Sequence, residues 1–209
     1  MTKWENKTVN CPACCEDGMF RICTHIDAEE NPELLNAVYD RSIFKFSCPE
    51  CGEEILVAYN CTLINRANKF ALMLIAEGGE KTENSLQMEG FTVRIVRSIN
   101  AFVEKAALIE DKIDDRVIEL YKIMLEDQFE EEKPTAELLG IYYGGNNPDD
   151  NTLLFYIITG NAENTRATLS MDTYLAIENQ LKNQSGNLPV GCEIDREWAL
   201  KVLENWKSE

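Results

Sequence analysis

Two C-P-x-C strings constrain this chain more than any other feature: Cys11-Pro-Ala-Cys14 and Cys48-Pro-Glu-Cys51. In each, two thiols leave one tight turn toward the same point, and two such turns supply the four sulfurs of a tetrahedral thiolate site for Zn²⁺. The proline presets φ within the turn, and amide N–H groups after the first cysteine point back at its sulfur and stabilise the thiolate. Four thiolates leave no open position for water or substrate. The expectation is therefore one structural zinc ion held by Cys11, Cys14, Cys48 and Cys51.

The two strings differ at the next residue. Gly52 after the second suits the left-handed backbone position that closes such a turn. The first has Cys15 there instead. C-x₃-C spacing from Cys11 to Cys15 also occurs at zinc sites, so Cys15 is an alternative to Cys14, and Cys23 and His25 are two more; Cys14 is preferred because it repeats the spacing of the second pair. His25 is the only histidine of the chain. Both pairs are complete without it, and it reads as an exposed strand residue. Cys61 and Cys192 have no C-x₂-C partner and read as packing cysteines.

Hydrophobic periodicity places the strings at turns. A weakly alternating segment leads into Cys11, and residues 19–26, MFRICTHI, alternate as a strand with Met19, Arg21, Cys23 and His25 on its less apolar face. Asn31-Pro32-Glu33 opens a short helix carrying Leu34, Leu35 and Val38. SIFKFSC then predicts a strand with Ile43 opposed to Phe44 and Phe46, and EEILVAYN predicts its return. Strand, knuckle, strand, insertion, strand, knuckle, strand is the assembly of a zinc ribbon.

The segment from CPAC through NPELLNAVYDRSIFKFSCPECGEEILVAYNCTLINRANKFALMLI resembles the CpXC family of bacterial and archaeal proteins, named for two CPxC motifs flanking such an interval. FTVRIVRSINAFVEKAALIEDKIDDRVIELYKIM and the ending with IDREWA resemble it as well. The resemblance implies a zinc-ribbon module built on Cys11, Cys14, Cys48 and Cys51, and no established activity. The missing glycine after the first motif is the departure from its pattern.

Downstream, residues 77–90 are polar and glycine-bearing and read as a loop or linker between a zinc-ribbon region at 1–76 and an α+β region at 91–209. FTVRIVR predicts a strand, and Arg94 and Arg97 within it read as ion-pairing residues. Ser98 caps a helix with Ile99, Phe102, Val103, Ala106 and Ile109 or Glu110 in one stripe. A second helix over 112–130 carries Ile113, Val117, Leu120, Tyr121 and Met124, joined by Ile118, Leu125 and Phe129, with Asp115, Glu119, Lys122 and Glu126 on the other side. An arc this wide lies across a sheet or meets a second chain, the first being the preferred reading. The acidic run at its end, Glu126, Asp127 and Glu130 to Glu132, reads as a solvated face. ELLGIYYGG and TLLFYIITG form a hairpin, TRATLSM adds a third strand, and TLLFYIIT is apolar on both faces and so central. Two helices finish the chain, one over 172–183 with Tyr174, Ile177 and Leu181 inward, the other capped by Asp195 and carrying Trp198, Ala199, Val202, Leu203 and Trp206. The fold class expected is α+β: a four-cysteine zinc ribbon followed by an antiparallel sheet with helices.

The charge narrows the function. Lys and Arg number 20 against 37 Asp and Glu, a formal net charge of −17. Residues 1–75 hold only seven of the basic side chains, spread apart, against 11 acidic ones. Nucleic-acid binding needs clustered cations to displace counterions from phosphates, so it is disfavoured, though it stands as the alternative because other zinc ribbons do it. Phosphate-loop, dinucleotide, nucleophile-elbow and H-E-x-x-H motifs are absent. The longest apolar runs are too short to span a bilayer, and the first residues carry no secretory h-region. The expectation is a non-enzymatic cytoplasmic protein, with a protein partner or a second copy of itself, acting as an interaction or scaffold module.

Overall fold

Both C-P-x-C strings sit at the tips of antiparallel hairpins. The structure, a computed structural model, describes residues 1–76, 78, 90–160, 165–184 and 192–207. The chain divides into two compact units, Met1–Ala106 and Ala107–Glu209. The 77–90 loop falls almost wholly outside the described residues, and 161–164 and 185–191 lie outside them too.

In the first unit, β1 (Lys3–Asn10) pairs antiparallel with β2 (Asp17–Asp27), and the first string joins them. After α1 (Glu33–Tyr39), β3 (Lys45–Ser47) and β4 (Glu54–Leu56) form the second hairpin around the second string. β5 (Cys61–Asn65), β6 (Phe70–Leu74) and β7 (Thr92–Val96) complete a five-stranded sheet of order β1-β2-β5-β6-β7. It is mixed, since β2 runs parallel to β5 and β6 parallel to β7. The strand expected at 91–97 therefore lies in this first sheet.

Two sequence expectations need correcting in this unit. SIFKFSC does not begin as a strand: Arg41 adopts a left-handed φ of 64°, and Ser42–Phe44 form a single 3₁₀ turn. Tightening the chain to three residues per turn removes the alternation, so Ile43, Phe44 and Phe46 are all buried. The less apolar face of β2 is exposed at Met19 and Arg21 but covered toward the strand's end. Cys23 is fully buried, and His25 is half-buried rather than exposed.

Aromatic side chains hold the second hairpin against the sheet. Phe20 on β2 meets Phe46 on β3 edge to face at 5.8 Å, and Tyr59 meets Phe20 at 6.0 Å and Phe44 at 5.3 Å. Tyr59 is 2% exposed, and its hydroxyl donates to the Ile43 carbonyl at 2.9 Å. Burying a tyrosine this deeply requires such a partner for its polar end. α2 (Ile99–Glu110) comes next, with Ser98 Oγ accepting from the Ala101 amide as expected of a cap. Its stripe is wider than the sequence suggests, because Glu104 and Lys105 are buried and partnered as well.

In the second unit, α3 (Asp115–Glu132) lies against an antiparallel three-stranded sheet, β8 (Leu138–Asn147), β9 (Thr152–Thr159) and β10 (Thr165–Ser170), in the order β10-β9-β8. β9 is central, as its composition predicts. α4 (Met171–Asn183) and α5 (Arg196–Lys207) pack on α3, and Leu120, Leu125, Phe129, Phe155, Leu181 and Trp198 share one core. The wide apolar arc of α3 is thus used within its own unit. Its position is rotated from the expected one: Ile123 is buried, Met124 is 52% exposed, and Asp115 and Glu119 are buried instead of solvated. Packing sheet on one side and α4 and α5 on the other draws these residues inward, and Lys122 reaches Glu119 at 3.3 Å.

Candidate metal centre

The two tips have the same backbone. In the first, the Cys11 amide donates to the Glu16 carbonyl at 2.9 Å and the Cys15 amide to the Cys11 carbonyl at 2.8 Å. In the second, the Cys48 amide donates to the Glu53 carbonyl at 2.8 Å and the Gly52 amide to the Cys48 carbonyl at 3.0 Å. Each turn closes on a left-handed residue, Cys15 at φ 63° and Gly52 at φ 76°. Cys15 therefore fills the glycine's conformational place, and the departure from the family pattern changes the residue without changing the turn. Asn10 steadies it, its Nδ2 donating to the Cys15 carbonyl at 2.9 Å.

These turns bring four sulfurs together. The Sγ atoms of Cys11, Cys14, Cys48 and Cys51 all lie within 4.8 Å of one another, and Cys11 to Cys51 and Cys14 to Cys48 are each 3.6 Å apart. Neither Cys15, Cys23 nor His25 belongs to the cluster. Cys15 is exposed, and Cys23 hydrogen-bonds the His25 carbonyl within the sheet. Burial pushes the His25 pKa down. Cys61 is buried in the first sheet and its thiol is pushed up by desolvation, as befits a packing cysteine. Such a set of sulfurs can bind a metal ion.

A small apolar shell supports them. Val9, Cys11, Phe46 and Cys48 form one buried cluster, flanked by Phe20, Ile55 and Val57. Gly18 is the residue sequence reasoning missed. A Cβ built there would lie 2.6 Å from the Phe46 ring and 2.9 Å from Pro49, so the second hairpin seats on β2 only where β2 has no side chain. A glycine inside a strand is the sequence signal for such an approach.

Electrostatics inside the cluster shows why it calls for a cation. The Cys51 amide donates to Cys48 and, although burial opposes it, the Glu50 amide and the neighbouring thiols help lower that thiol to about 7. At Cys14 the Glu16 amide acts in the same direction, but burial and the other three cysteines prevail and push it up to about 12. Cys51 is raised as well: the Glu53 amide and Cys14 lower it, but burial, Cys11 and Cys48 outweigh them. One thiolate forms readily and the next ones resist, because like charges this close repel. A divalent cation reverses that order by deprotonating its ligands outright.

Among other residues singled out by sequence, Arg94 lies over the Phe70 ring at 5.9 Å. Tyr143 is buried with its hydroxyl donating to Asp111 at 2.6 Å, while Tyr142 is half-buried. The acidic run of α3 is exposed apart from Glu126, which pairs with Arg196 at 2.8 Å. No helix among the described residues is long and apolar enough to cross a membrane.

The family model described as CpXC protein matches residues 9–122, more than half of the chain and a span containing both hairpin tips. No curated protein and no solved structure matches the chain.

Proposed function

The chain belongs to the CpXC family, and from that premise we propose that Cys11, Cys14, Cys48 and Cys51 hold one Zn²⁺ in a closed structural site of zinc-ribbon type. The observation that carries this is the spacing of the sulfurs. A tetrahedron with Zn–S bonds of about 2.3 Å has edges of about 3.8 Å, and the cross-hairpin pairs Cys11–Cys51 and Cys14–Cys48 are each 3.6 Å apart. When bound, zinc supplies a cross-link between hairpins whose shared apolar cluster is small. The site adds −4 + 2 = −2 to the formal charge and offers no vacant coordination position, which argues for a non-enzymatic role.

The same reading makes the protein an interaction or scaffold module of the cytoplasm, where reducing conditions keep thiols available to a metal. Its surplus of carboxylates suits a basic protein partner better than a phosphate backbone. The test has two arms on zinc-loaded protein. Cobalt substitution should give the intense visible bands of a four-thiolate tetrahedral site; weak octahedral bands would refute the ligand set. Cross-linking should capture a basic protein, and duplex DNA should stay unbound at low salt. Salt-sensitive DNA binding would replace the scaffold role with a nucleic-acid-binding one.

A further inference from the structure

β1 is the outer strand of its sheet: it pairs with β2, and no other strand among the described residues pairs with it. Seven of its eight residues are exposed, Val9 alone being buried. An open edge of this length presents unpaired amide and carbonyl groups that template another strand. Two of the large apolar side chains left exposed stand on one face of this hairpin, Trp4 at 40% and Met19 at 67%, with Arg21 stacked on the Trp4 ring and Met19 across from Thr8.

The order of charges along the edge identifies its complement. When two copies pair antiparallel about a two-fold axis normal to the sheet, a residue must face its own counterpart at the axis. With Asn6 there, Glu5 faces Lys7 of the second copy and Lys7 faces Glu5, while Trp4 faces Thr8 and Lys3 faces Val9. Lys3–Val9 is thereby paired along its whole length. Placing Glu5 at the axis instead sets Glu5 on Glu5 and Lys3 on Lys7. Placing Lys7 there sets Lys7 on Lys7. Trp4 at the axis also opposes Lys3 to Glu5, but over a short overlap beside the irregularity between Lys3 and Trp4. Lysines on a free edge ordinarily repel a foreign strand. Glu5 between them turns that repulsion into attraction when the incoming strand is a copy of this one in this register, a device for choosing the partner.

We propose that β1 is a self-association edge, through which two copies of this chain join antiparallel with Asn6 on the two-fold axis and Glu5 and Lys7 in reciprocal ion pairs. The inference goes beyond the interaction-module reading, adding a self-contact at β1 to the basic protein partner proposed above. It does not depend on which metal the tips hold.

Sedimentation of the zinc-loaded full chain in the micromolar range tests it. Wild type should populate a dimer. Glu5→Lys and Lys7→Glu each turn two opposite-charge pairs into two like-charge pairs and should weaken the dimer by about tenfold or more. An equimolar mixture of the two variants, and the double variant Glu5→Lys/Lys7→Glu, restore opposite charges and should recover it. A wild type that stays monomeric, or single variants that dimerise like wild type, would overturn the proposal. Zinc content, measured on the same samples, separates that failure from a failure of the metal site.

Discussion

The left-handed residue that closes each tip offers the sharpest quantitative check. A non-glycine residue in this conformation costs about 1–2 kcal/mol, because Cβ crowds the following carbonyl. Replacing it by glycine relieves that cost but adds about 0.5–1 kcal/mol of backbone entropy lost on folding. Cys15 is exposed, and the Asn10 bond to its carbonyl survives substitution. Cys15→Gly should therefore stabilise the zinc-loaded protein by about 0.5–1 kcal/mol, a rise in Tm of a few degrees. Gly52→Ala should do the reverse by a similar amount, since a Cβ there meets nothing within 4 Å and only the φ of 76° opposes it. Denaturant melts followed by circular dichroism, with zinc content measured on each variant, read both. Loss of metal from Cys15→Gly would mean that Cys15 is a ligand, and a loss of more than about 1 kcal/mol would refute the strain argument.

Further expectations come from the surrounding packing. Gly18→Ala must displace the Phe46 ring or Pro49 from β2; a loss of about 1–3 kcal/mol is expected by denaturant melts, and an unchanged midpoint would contradict the close seating of the two hairpins. Asp27 is fully buried; burial alone would raise its pKa, but the Arg66 guanidinium and the Glu30 amide outweigh this and lower it. A lowered folded-state pKa contributes stability above the unfolded value of about 3.9 that is lost as pH falls through the folded value. Asp27→Asn should thus be less stable than wild type by about 1–3 kcal/mol near pH 7, with the gap beginning to narrow below about pH 4 and shrinking as pH falls through the lowered folded value; a gap that does not narrow on acidification would exclude the ionic contribution. Cys48→Ser removes one thiolate of four and should forfeit much of the metal-coupled folding energy of about 10 kcal/mol, seen as lost zinc and a collapsed first melting transition.

Local structure could be read from the sequence, and long-range pairing could not. The cysteine spacing gave both turns, and Ser98 and Asp195 announce helix starts whose hydroxyl and carboxylate do accept the expected amides. Alternation grouped the residues of β2 correctly into faces. It could not tell that this face would be covered at Cys23 and open at Met19 and Arg21, because what covers a sheet is set by elements distant in the chain. The same limit hid the parallel partners of β2 and β6. Ile43 went astray for a different reason: one left-handed residue, Arg41, starts a 3₁₀ turn, and no propensity for that conformation marks an arginine. On α3 the periodicity identified the helix and most of its core, but Ile123 and Met124, about 100° apart around the helix, border the apolar arc on different sides, and only the placement of α4 and α5 decides which is buried.

Zinc stoichiometry of the full chain, purified without chelator and measured by elemental analysis alongside native mass spectrometry, goes to the heart of the matter. Four sulfurs gathered from two hairpin tips predict one zinc per chain in the wild type and none in Cys48→Ser. A compact wild type that contains no metal, or a Cys48→Ser variant that keeps a full equivalent, would contradict it.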